Sequence, residues 1–295
     1  MNYQIKEGCV GRRPYVMVFR TYKPQKISNE SVVVLVSGGG HRMKVWEKTP
    51  DGRRGWAPLL AEAGREVIVL EWACNSPQVY RCSKKELCSL TQKENMALIL
   101  QVIVQEIPQD RKIVFLGWSM GGPQVLKLAA DILPKGKVAG IMGYAATGPL
   151  NFFRPKTYPE LSLEEPFKIP ESALELISDS PFFPKEHAEN YRREYVCPVS
   201  PRMVLIHSKH PLFREQWDLL TIKNPKKIPP VLLVNGSRDK GHEPAREKVF
   251  IDWLRKYQPD ITPRYIKEFP HLGMLCRGNE RIVKIYLAWL NERLL

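Results

Sequence analysis

The feature that most constrains this chain is a serine placed between glycines, directly after an apolar run. The residues at 113–116, Ile-Val-Phe-Leu, precede Gly117-Trp118-Ser119-Met120-Gly121. In so tight a strand-to-helix turn only a hydrogen side chain avoids a clash at the flanking positions, and the serine is pushed out above the edge of the sheet. An apolar stripe of helical spacing follows and ends near Pro134. The pattern therefore predicts a strand, a sharp turn at Ser119 and a helix. A glycine-rich connector with an incidental serine is the alternative.

A second glycine run follows another predicted strand. Residues 32–36 are a continuous run of valine and leucine, typical of a strand covered on both faces, and lead into Ser37-Gly38-Gly39-Gly40-His41. Glycines there let the backbone turn its N–H groups into a cavity, as a loop that stabilises an oxyanion must do. A phosphate-binding loop is the alternative, but no Gly-Lys-Ser/Thr follows, and no Gly-x-Gly-x-x-Gly opens a helix here.

Predicted strands and helices alternate along the first half of the chain. After an N-terminal hairpin at 4–22, strands are predicted at 32–36, 66–72, 111–117 and 138–144, and helices at 56–63, at 90–106 and after Ser119. Such alternation predicts an α/β fold with a mostly parallel central sheet and helices on both faces. Ligand sites in such sheets lie at the carboxyl ends of the strands.

The alternation stops between residues 147 and 227. This segment is rich in proline and aromatic residues, and the next predicted sheet strand begins only at Val231. So long an excursion predicts an inserted lid able to cover an apolar ligand, although ordinary packing onto the sheet would give a similar composition. We therefore expect one core domain in two parts, 1–146 and 228–295, with the lid at 147–227 between the sixth and seventh strands.

Three polar residues follow predicted strands, in the order Ser119, Asp239, His271. Because the carboxyl ends of parallel strands meet at one edge of a sheet, we expect these residues to converge. A serine hydroxyl is a poor nucleophile at neutral pH. It needs a neutral imidazole to take its proton and a carboxylate to fix the tautomer of that imidazole. His271 and Asp239 fit these roles.

The residues around Ser119 supply the other predicted parts of the site. The backbone N–H of Met120, together with one from Gly39 or Gly40, would hold the tetrahedral oxyanion. Glu71, at the end of its strand, is either structural or part of the ligand pocket, and His41 either contacts the substrate or is a hydrogen-bonded structural histidine. The candidate substrate-binding residues are Trp118, His41, Phe152, Phe153 and Trp217.

These motifs resemble those of the α/β-hydrolase superfamily, in its order of serine, acid and histidine. The resemblance covers nearly the whole chain except the predicted lid. It implies an α/β-hydrolase fold and a serine esterase or lipase-like activity, in which an ester, lactone or thioester is cleaved through an acyl-enzyme on Ser119. The superfamily also holds acyltransferases and inactive receptors, so acyl transfer and ligand binding without chemistry remain alternatives.

One stretch is similar to a bacterial esterase branch of that superfamily. Residues 46–56, Trp-Glu-Lys-Thr-Pro-Asp-Gly-Arg-Arg-Gly-Trp, resemble the segment that links the oxyanion loop to the first helix there. That branch carries an acidic residue after the strand that follows the nucleophile helix. Here the strand ends in Gly143-Tyr144-Ala145-Ala146, which lacks a carboxylate, so Asp239 remains the expected acid.

The charge composition indicates which classes of partner the protein can be expected to bind. The net charge is +14, but the basic residues are scattered and no basic stripe with interleaved aromatic residues is present. We therefore expect no nucleic-acid partner, and we expect a small-molecule acyl substrate, with an anionic acyl carrier left open. No metal or organic cofactor is expected, because side chains and water complete the mechanism. The sequence does not indicate the oligomeric state.

Two further features bear on the compartment. The N-terminal residues lack the apolar core of a signal peptide, and no later stretch is long enough to span a bilayer, so a cytoplasmic location is expected. The six cysteines do not form a disulfide scaffold in a chain this long, and the crowded Cys74, Cys82 and Cys88 lack the paired spacing of a zinc site. The cysteines are expected to be reduced thiols, with a loop disulfide or a metal site as the alternative.

Overall fold

The computed structural model describes residues 2–28, 30–76, 82–146, 148, 162–204, 220–241 and 244–293. The strands are β1 (Tyr3–Arg12), β2 (Tyr15–Pro24), β3 (Val32–Val36), β4 (Glu66–Leu70), β5 (Ile113–Trp118), β6 (Val138–Tyr144), β7 (Val231–Gly236) and β8 (Ile261–Ile266). The α-helices of these ranges are α1 (Lys44–Glu47), α2 (Trp56–Glu62), α3 (Lys84–Ser89), α4 (Gln92–Glu106), α5 (Gly121–Lys127), α6 (Glu171–Ser178), α7 (Ala188–Tyr195), α8 (Pro201–Val204), α9 (Pro244–Arg255) and α10 (Glu280–Arg293).

The strands form one sheet in the order β1-β2-β4-β3-β5-β6-β7-β8. The β1–β2 hairpin lies at one edge, and β2 pairs with β4 in the antiparallel sense. All the remaining pairs are parallel. The predicted α/β class, its mostly parallel sheet and the hairpin at the edge are confirmed.

The central strands are buried on both faces, as their unbroken apolar sequences predict. Val32, Val34 and Val36 of β3 belong to one hydrophobic cluster, and Val33 and Leu35 belong to the other. This alternation follows from the two-residue period of a strand. Helix α4 packs on the first face, and α2 and α10 pack on the second. The sheet therefore forms the middle of three layers, and its carboxyl edge is left for the loops that follow the strands.

Helix α4 begins two residues later than the apolar pattern predicts, because Thr91 caps it. The Thr91 hydroxyl accepts the N–H of Glu94, and the Glu94 carboxylate accepts the N–H of Thr91, which is a complete capping box. The helix after Ser119 also differs from the prediction of one regular helix. It changes after Lys127 to a π-helical turn at Leu128–Ile132.

The described residues between β6 and β7 add helices and isolated bridges to the fold but no strand to the sheet. One of these bridges pairs His41 with Val196, and Arg42 donates its backbone N–H to Tyr195. The segment thus contacts the loop after β3. The predicted substrate-binding residues Phe152, Phe153 and Trp217 lie outside the described residues, and the bounds 147–227 remain a prediction.

The prediction that all the clustered cysteines are reduced is wrong for two of them. Cys74 and Cys82 form a disulfide, with their Cα atoms 5.4 Å apart, whereas Cys88 is a free buried thiol. The fold of the loop after β4 brings the pair together, and their spacing in the sequence does not reveal this. Because disulfides are typical of oxidising compartments, the cysteines no longer support a cytoplasmic location.

Across the described part of the chain, no helix has the length and the apolar character needed to span a bilayer.

Candidate active site

Ser119 stands in a strained turn between β5 and α5. Its φ is 50°, in the left-handed region that L-residues other than glycine rarely adopt. A Cβ at Gly117 would lie 2.8 Å from Val125 Cγ2, and one at Gly121 would lie 2.4 Å from the carbonyl oxygen of Val36. Both flanking positions therefore require glycine for steric reasons, as the sequence pattern predicts.

Asp239 and His271 are in direct contact. His271 Nδ1 lies 2.9 Å from Oδ2 and 3.1 Å from Oδ1 of Asp239. The Asp239 side chain is 2% exposed and that of His271 is 9% exposed. A carboxylate can only accept a hydrogen bond, so Nδ1 carries a proton and donates it. In the neutral imidazole, Nε2 is then the atom that can take a proton from another group.

Buried hydrogen bonds join the loop that carries His271 to the turn at Ser119. The indole N–H of Trp118 donates to the carbonyl oxygen of His271 at 3.1 Å. The Tyr144 hydroxyl donates to the carbonyl oxygen of Pro270 at 2.7 Å, and the Tyr144 carbonyl accepts the N–H of Ser119 at 3.3 Å. The predicted nucleophile and the predicted base are thus attached to one rigid frame.

The prediction that Trp118 contacts the substrate is not supported by this geometry. Its side chain is buried, and its ring packs against those of His41 and His271. It presents almost no surface to a ligand. Trp118 directly precedes Ser119 on β5, and its indole reaches the loop that carries His271. Trp118 therefore supports the arrangement of the site.

The loop after β3 presses against the turn at Ser119. A Cβ at Gly38 would lie 3.0 Å from Ser119 Cβ, and one at Gly39 would lie 2.5 Å from Met120 Sδ. The close approach leaves little room for a side chain at Gly38, whereas at Gly39 the neighbouring atoms belong to the flexible Met120 side chain. Gly39 thus lies next to the side chain of Met120, and Gly40 follows at a φ of 74°.

His41 is a buried histidine with both ring nitrogens hydrogen-bonded. Its Nδ1 lies 3.1 Å from the Gly39 carbonyl oxygen, and its Nε2 lies 2.7 Å from the Tyr191 hydroxyl. A carbonyl only accepts, so Nδ1 donates, and Nε2 accepts the proton of Tyr191. Burial, together with the nearby His271, lowers the pKa of His41 to about 4 against the opposing effect of its bond to the Gly39 carbonyl oxygen. The ring is neutral at neutral pH.

Glu71 is also structural. It is buried, and its carboxyl group accepts the backbone N–H groups of Met43 at 3.2 Å and Trp72 at 3.1 Å. Burial raises the pKa of Glu71 to about 8 against the effect of these bonds, so the group is mostly protonated at neutral pH. Of the two alternatives for this residue, the structure favours the structural one.

Sequence reasoning missed two residues of this region. Trp72 donates its indole N–H to the Gly38 carbonyl oxygen at 3.0 Å, and Tyr191 reaches His41 from α7. The sequence feature that could have pointed to Trp72 is its position at the end of the predicted strand 66–72, the next predicted strand after 32–36. Glu247 on α9 is buried as well, and its carboxylate accepts a hydrogen bond from the Asn235 side chain at the end of β7.

A cavity of about 520 Å³ lies between α6, the start of α7 and the loop after Asp239. Its lining combines apolar side chains, Leu176 and Phe183, with charged ones, among them Arg192 and Lys240. Within the described ranges, no three His, Cys, Asp or Glu side chains are grouped as metal ligands.

Residues 31–254 match the sequence profile of the family described as "alpha/beta hydrolase fold". The match covers well over half of the chain, so the chain belongs to the α/β-hydrolase family. A search of curated protein sequences finds no match.

Several solved structures share the fold. A soluble variant of monoglyceride lipase from Saccharomyces cerevisiae is 15% identical, with 98% of this chain and 97% of that chain covered and a TM-score of 0.68. A thermostable carboxyl esterase from Bacillus coagulans is 14% identical, with 99% of each chain covered and a TM-score of 0.67. A thioesterase domain from the curacin biosynthetic pathway is 15% identical, with 96% of this chain and 99% of that chain covered and a TM-score of 0.59. At these identities the likeness shows a common fold.

Proposed function

We propose that this protein is a serine hydrolase that cleaves a carboxylic ester, lactone or thioester through an acyl-enzyme on Ser119. The observation that carries the proposal is the buried contact of Asp239 with Nδ1 of His271, on a loop hydrogen-bonded to the residue before Ser119. Membership of the α/β-hydrolase family supports it. So do the fold neighbours, whose names include a lipase, an esterase and a thioesterase.

In the first half of the proposed reaction, Ser119 Oγ attacks the carbonyl carbon while His271 Nε2 takes the hydroxyl proton. The carbonyl oxygen becomes an oxyanion, which accepts the N–H groups of Met120 and of Gly39 or Gly40. The tetrahedral intermediate then collapses, the bond to the leaving oxygen or sulfur breaks, and His271 returns the proton to the leaving group. The acyl group remains as an ester on Ser119.

In the second half, water attacks the acyl-enzyme and His271 takes a proton from it. Collapse of the second tetrahedral intermediate releases the acid and returns the proton to Ser119. Asp239 stays ionised, keeps the proton of His271 on Nδ1 and stabilises the imidazolium formed in each half. The side chains and water thus account for every proton moved and every bond made or broken in both halves of the reaction.

The segment 147–227 is proposed as the lid that selects the substrate. Its described helices α6 and α7 border the cavity that reaches the residue after Asp239, where Leu176, Phe183 and Ala188 lie among charged and hydroxyl side chains. The apolar part of this lining can take an acyl or alcohol chain of the substrate. The names of the fold neighbours suggest monoglycerides, simple esters and thioesters as first substrates to assay.

The proposal is tested with a fluorophosphonate probe and a panel of p-nitrophenyl esters. Wild type should be labelled on Ser119 and should release p-nitrophenol, whereas Ser119→Ala should do neither. Ser89→Ala, which removes an exposed hydroxyl at the end of α3, is the matched control and should behave as wild type. Well-folded wild type that resists the probe, or turnover that survives in Ser119→Ala, would contradict the proposal. Products in which the acyl group passes to an added alcohol would indicate acyl transfer.

A further inference from the structure

Two consecutive carbonyl groups of the glycine loop after β3 are held by aromatic side chains. The Gly38 carbonyl oxygen accepts the indole N–H of Trp72 at 3.0 Å. The Gly39 carbonyl oxygen accepts the Nδ1–H of His41 at 3.1 Å. Three glycines in succession have wide conformational freedom and no side chains of their own to hold the loop. These two hydrogen bonds therefore fix the orientation of the loop backbone, which the glycine sequence alone leaves free.

Each bond also fixes an N–H group. A peptide group is planar and trans, so its C=O and its N–H point in opposite directions. The indole of Trp72 holds the C=O of the peptide between Gly38 and Gly39, and this determines where the N–H of Gly39 points. The loop lies against the turn at Ser119, because a Cβ at Gly38 would be 3.0 Å from Ser119 Cβ.

We propose that Trp72 is a positioning residue for the oxyanion hole: its indole N–H holds the Gly38–Gly39 peptide so that the Gly39 N–H faces the developing oxyanion. The inference rests on the proposed function and adds to it a residue that does not touch the substrate. It takes the N–H of Gly39, and not that of Gly40, as the second donor.

Trp72 is well placed for this role. It is 4% exposed and follows β4. Because β4 is the parallel neighbour of β3, the segments that follow these two strands leave the sheet side by side. Its backbone N–H donates to the Glu71 carboxyl group, which also accepts the N–H of Met43. The backbone hydrogen bond of Trp72 and the burial of its side chain therefore hold the indole in place. Preorganised donors of this kind contribute to catalysis because they need no reorientation as charge develops.

The test is Trp72→Phe, which keeps an aromatic ring and removes the N–H donor. Trp56→Phe is the matched control, because Trp56 is fully buried and its indole N–H has no hydrogen-bond partner among the described residues. We expect kcat on a p-nitrophenyl ester to fall roughly 10- to 100-fold in Trp72→Phe, with KM within about threefold of wild type. The control should keep both constants.

A second readout separates positioning from a general loss of structure. A trifluoromethyl ketone forms a tetrahedral adduct with the serine, whereas the product acid stays planar. The affinity for the ketone should fall by the same factor as kcat/KM, and the affinity for the acid should not change. If Trp72→Phe does not fold, replacement of the indole of Trp72 by benzothiophene removes the donor with less change of shape.

Three results would overturn the inference. The first is a kcat within twofold of wild type in the folded donor-free variant, and the second is equal loss in Trp56→Phe. The third is a loss in His41→Ala with none in Trp72→Phe, which would assign the donor to Gly40. Failure of the proposed function gives a different result, because wild type would then not react with the fluorophosphonate probe at all.

Discussion

His271 Nδ1 lies 2.9 Å from Asp239 Oδ2, although the two residues are 32 positions apart in the sequence. Each follows a strand of the same sheet, β7 for Asp239 and β8 for His271, and these strands are parallel neighbours. The N–H of Gly241 also donates to Asp239 Oδ1, at 2.9 Å, and helps to hold the carboxylate in place. The contact is thus built by adjacent strand ends and one local turn.

This contact predicts that Asp239→Asn lowers kcat/KM by roughly 10³- to 10⁴-fold at neutral pH. An amide can donate its own N–H to His271 Nδ1, which would place the imidazole proton on Nε2 and remove the base. Ester hydrolysis by purified variants measures the loss. Asp252→Asn, which neutralises an exposed carboxylate on α9 paired with Lys248, should stay within about twofold of wild type. Equal activity of the two variants would argue against the role of Asp239.

Much of this site could be predicted because local sequence determines it. The strands β3 and β5 are marked by unbroken apolar runs, and the turn at Ser119 is marked by glycines that its geometry requires. Asp239 follows the apolar strand β7, and His271 follows β8, which is apolar only at its two ends. Parallel strands place their carboxyl ends at one edge, so topology alone brings such residues together.

The remaining parts depend on contacts that no local pattern encodes. Trp72 meets Gly38 from 34 residues away, and Tyr191 meets His41 from 150 residues away. The burial of Trp118 and His41, both predicted to contact the substrate, results from rings packed by several elements at once. The Cys74–Cys82 disulfide likewise depends on a loop path that spacing does not determine.

The steric requirement at Gly121 predicts a large loss of stability in Gly121→Ala. The new Cβ would lie 2.4 Å from the carbonyl oxygen of Val36, a backbone atom that cannot move without shifting β3. We expect the free energy of unfolding to fall by about 2–3 kcal/mol or more, as in overpacked cores. Gly136→Ala is the control. A Cβ there would have only Lys112 Nζ nearby, at 4.0 Å, and because φ is 82° the variant should lose only about 1 kcal/mol through backbone strain. Urea denaturation compares the two, and equal losses would contradict the steric account.

The disulfide predicts a specific count of reactive thiols. The chain has six cysteines, of which Cys9, Cys88, Cys197 and Cys276 are free. Iodoacetamide should therefore modify four thiols in protein denatured without reductant and six after reduction. Peptide mapping should assign the two additional sites to Cys74 and Cys82. Modification of all six before reduction, in protein purified without reductant, would contradict the disulfide.

The buried carboxyl group of Glu71 predicts a pH-dependent stability. Its pKa is about 8 in the folded protein, against an ordinary value of 4.5. Between these values the folded state keeps a proton that the unfolded state has lost, so the free energy of unfolding falls as pH rises. The slope from this group approaches about 1.4 kcal/mol per pH unit. The stabilisation is complete below the lower value and is lost as pH rises through the upper one.

Glu71→Gln isolates this effect, because the glutamine oxygen can still accept the N–H groups of Met43 and Trp72 but has no proton to lose. The charged groups that act on Glu71, Arg42 and Glu47, are unchanged in the variant. The difference in unfolding free energy, wild type minus variant, should therefore fall between about pH 5 and pH 8 and then level off. Urea denaturation across this range measures it. Glu189→Gln, an exposed α7 position, should give a flat difference. A flat difference for Glu71→Gln as well would mean that this carboxyl group is ionised in the folded protein.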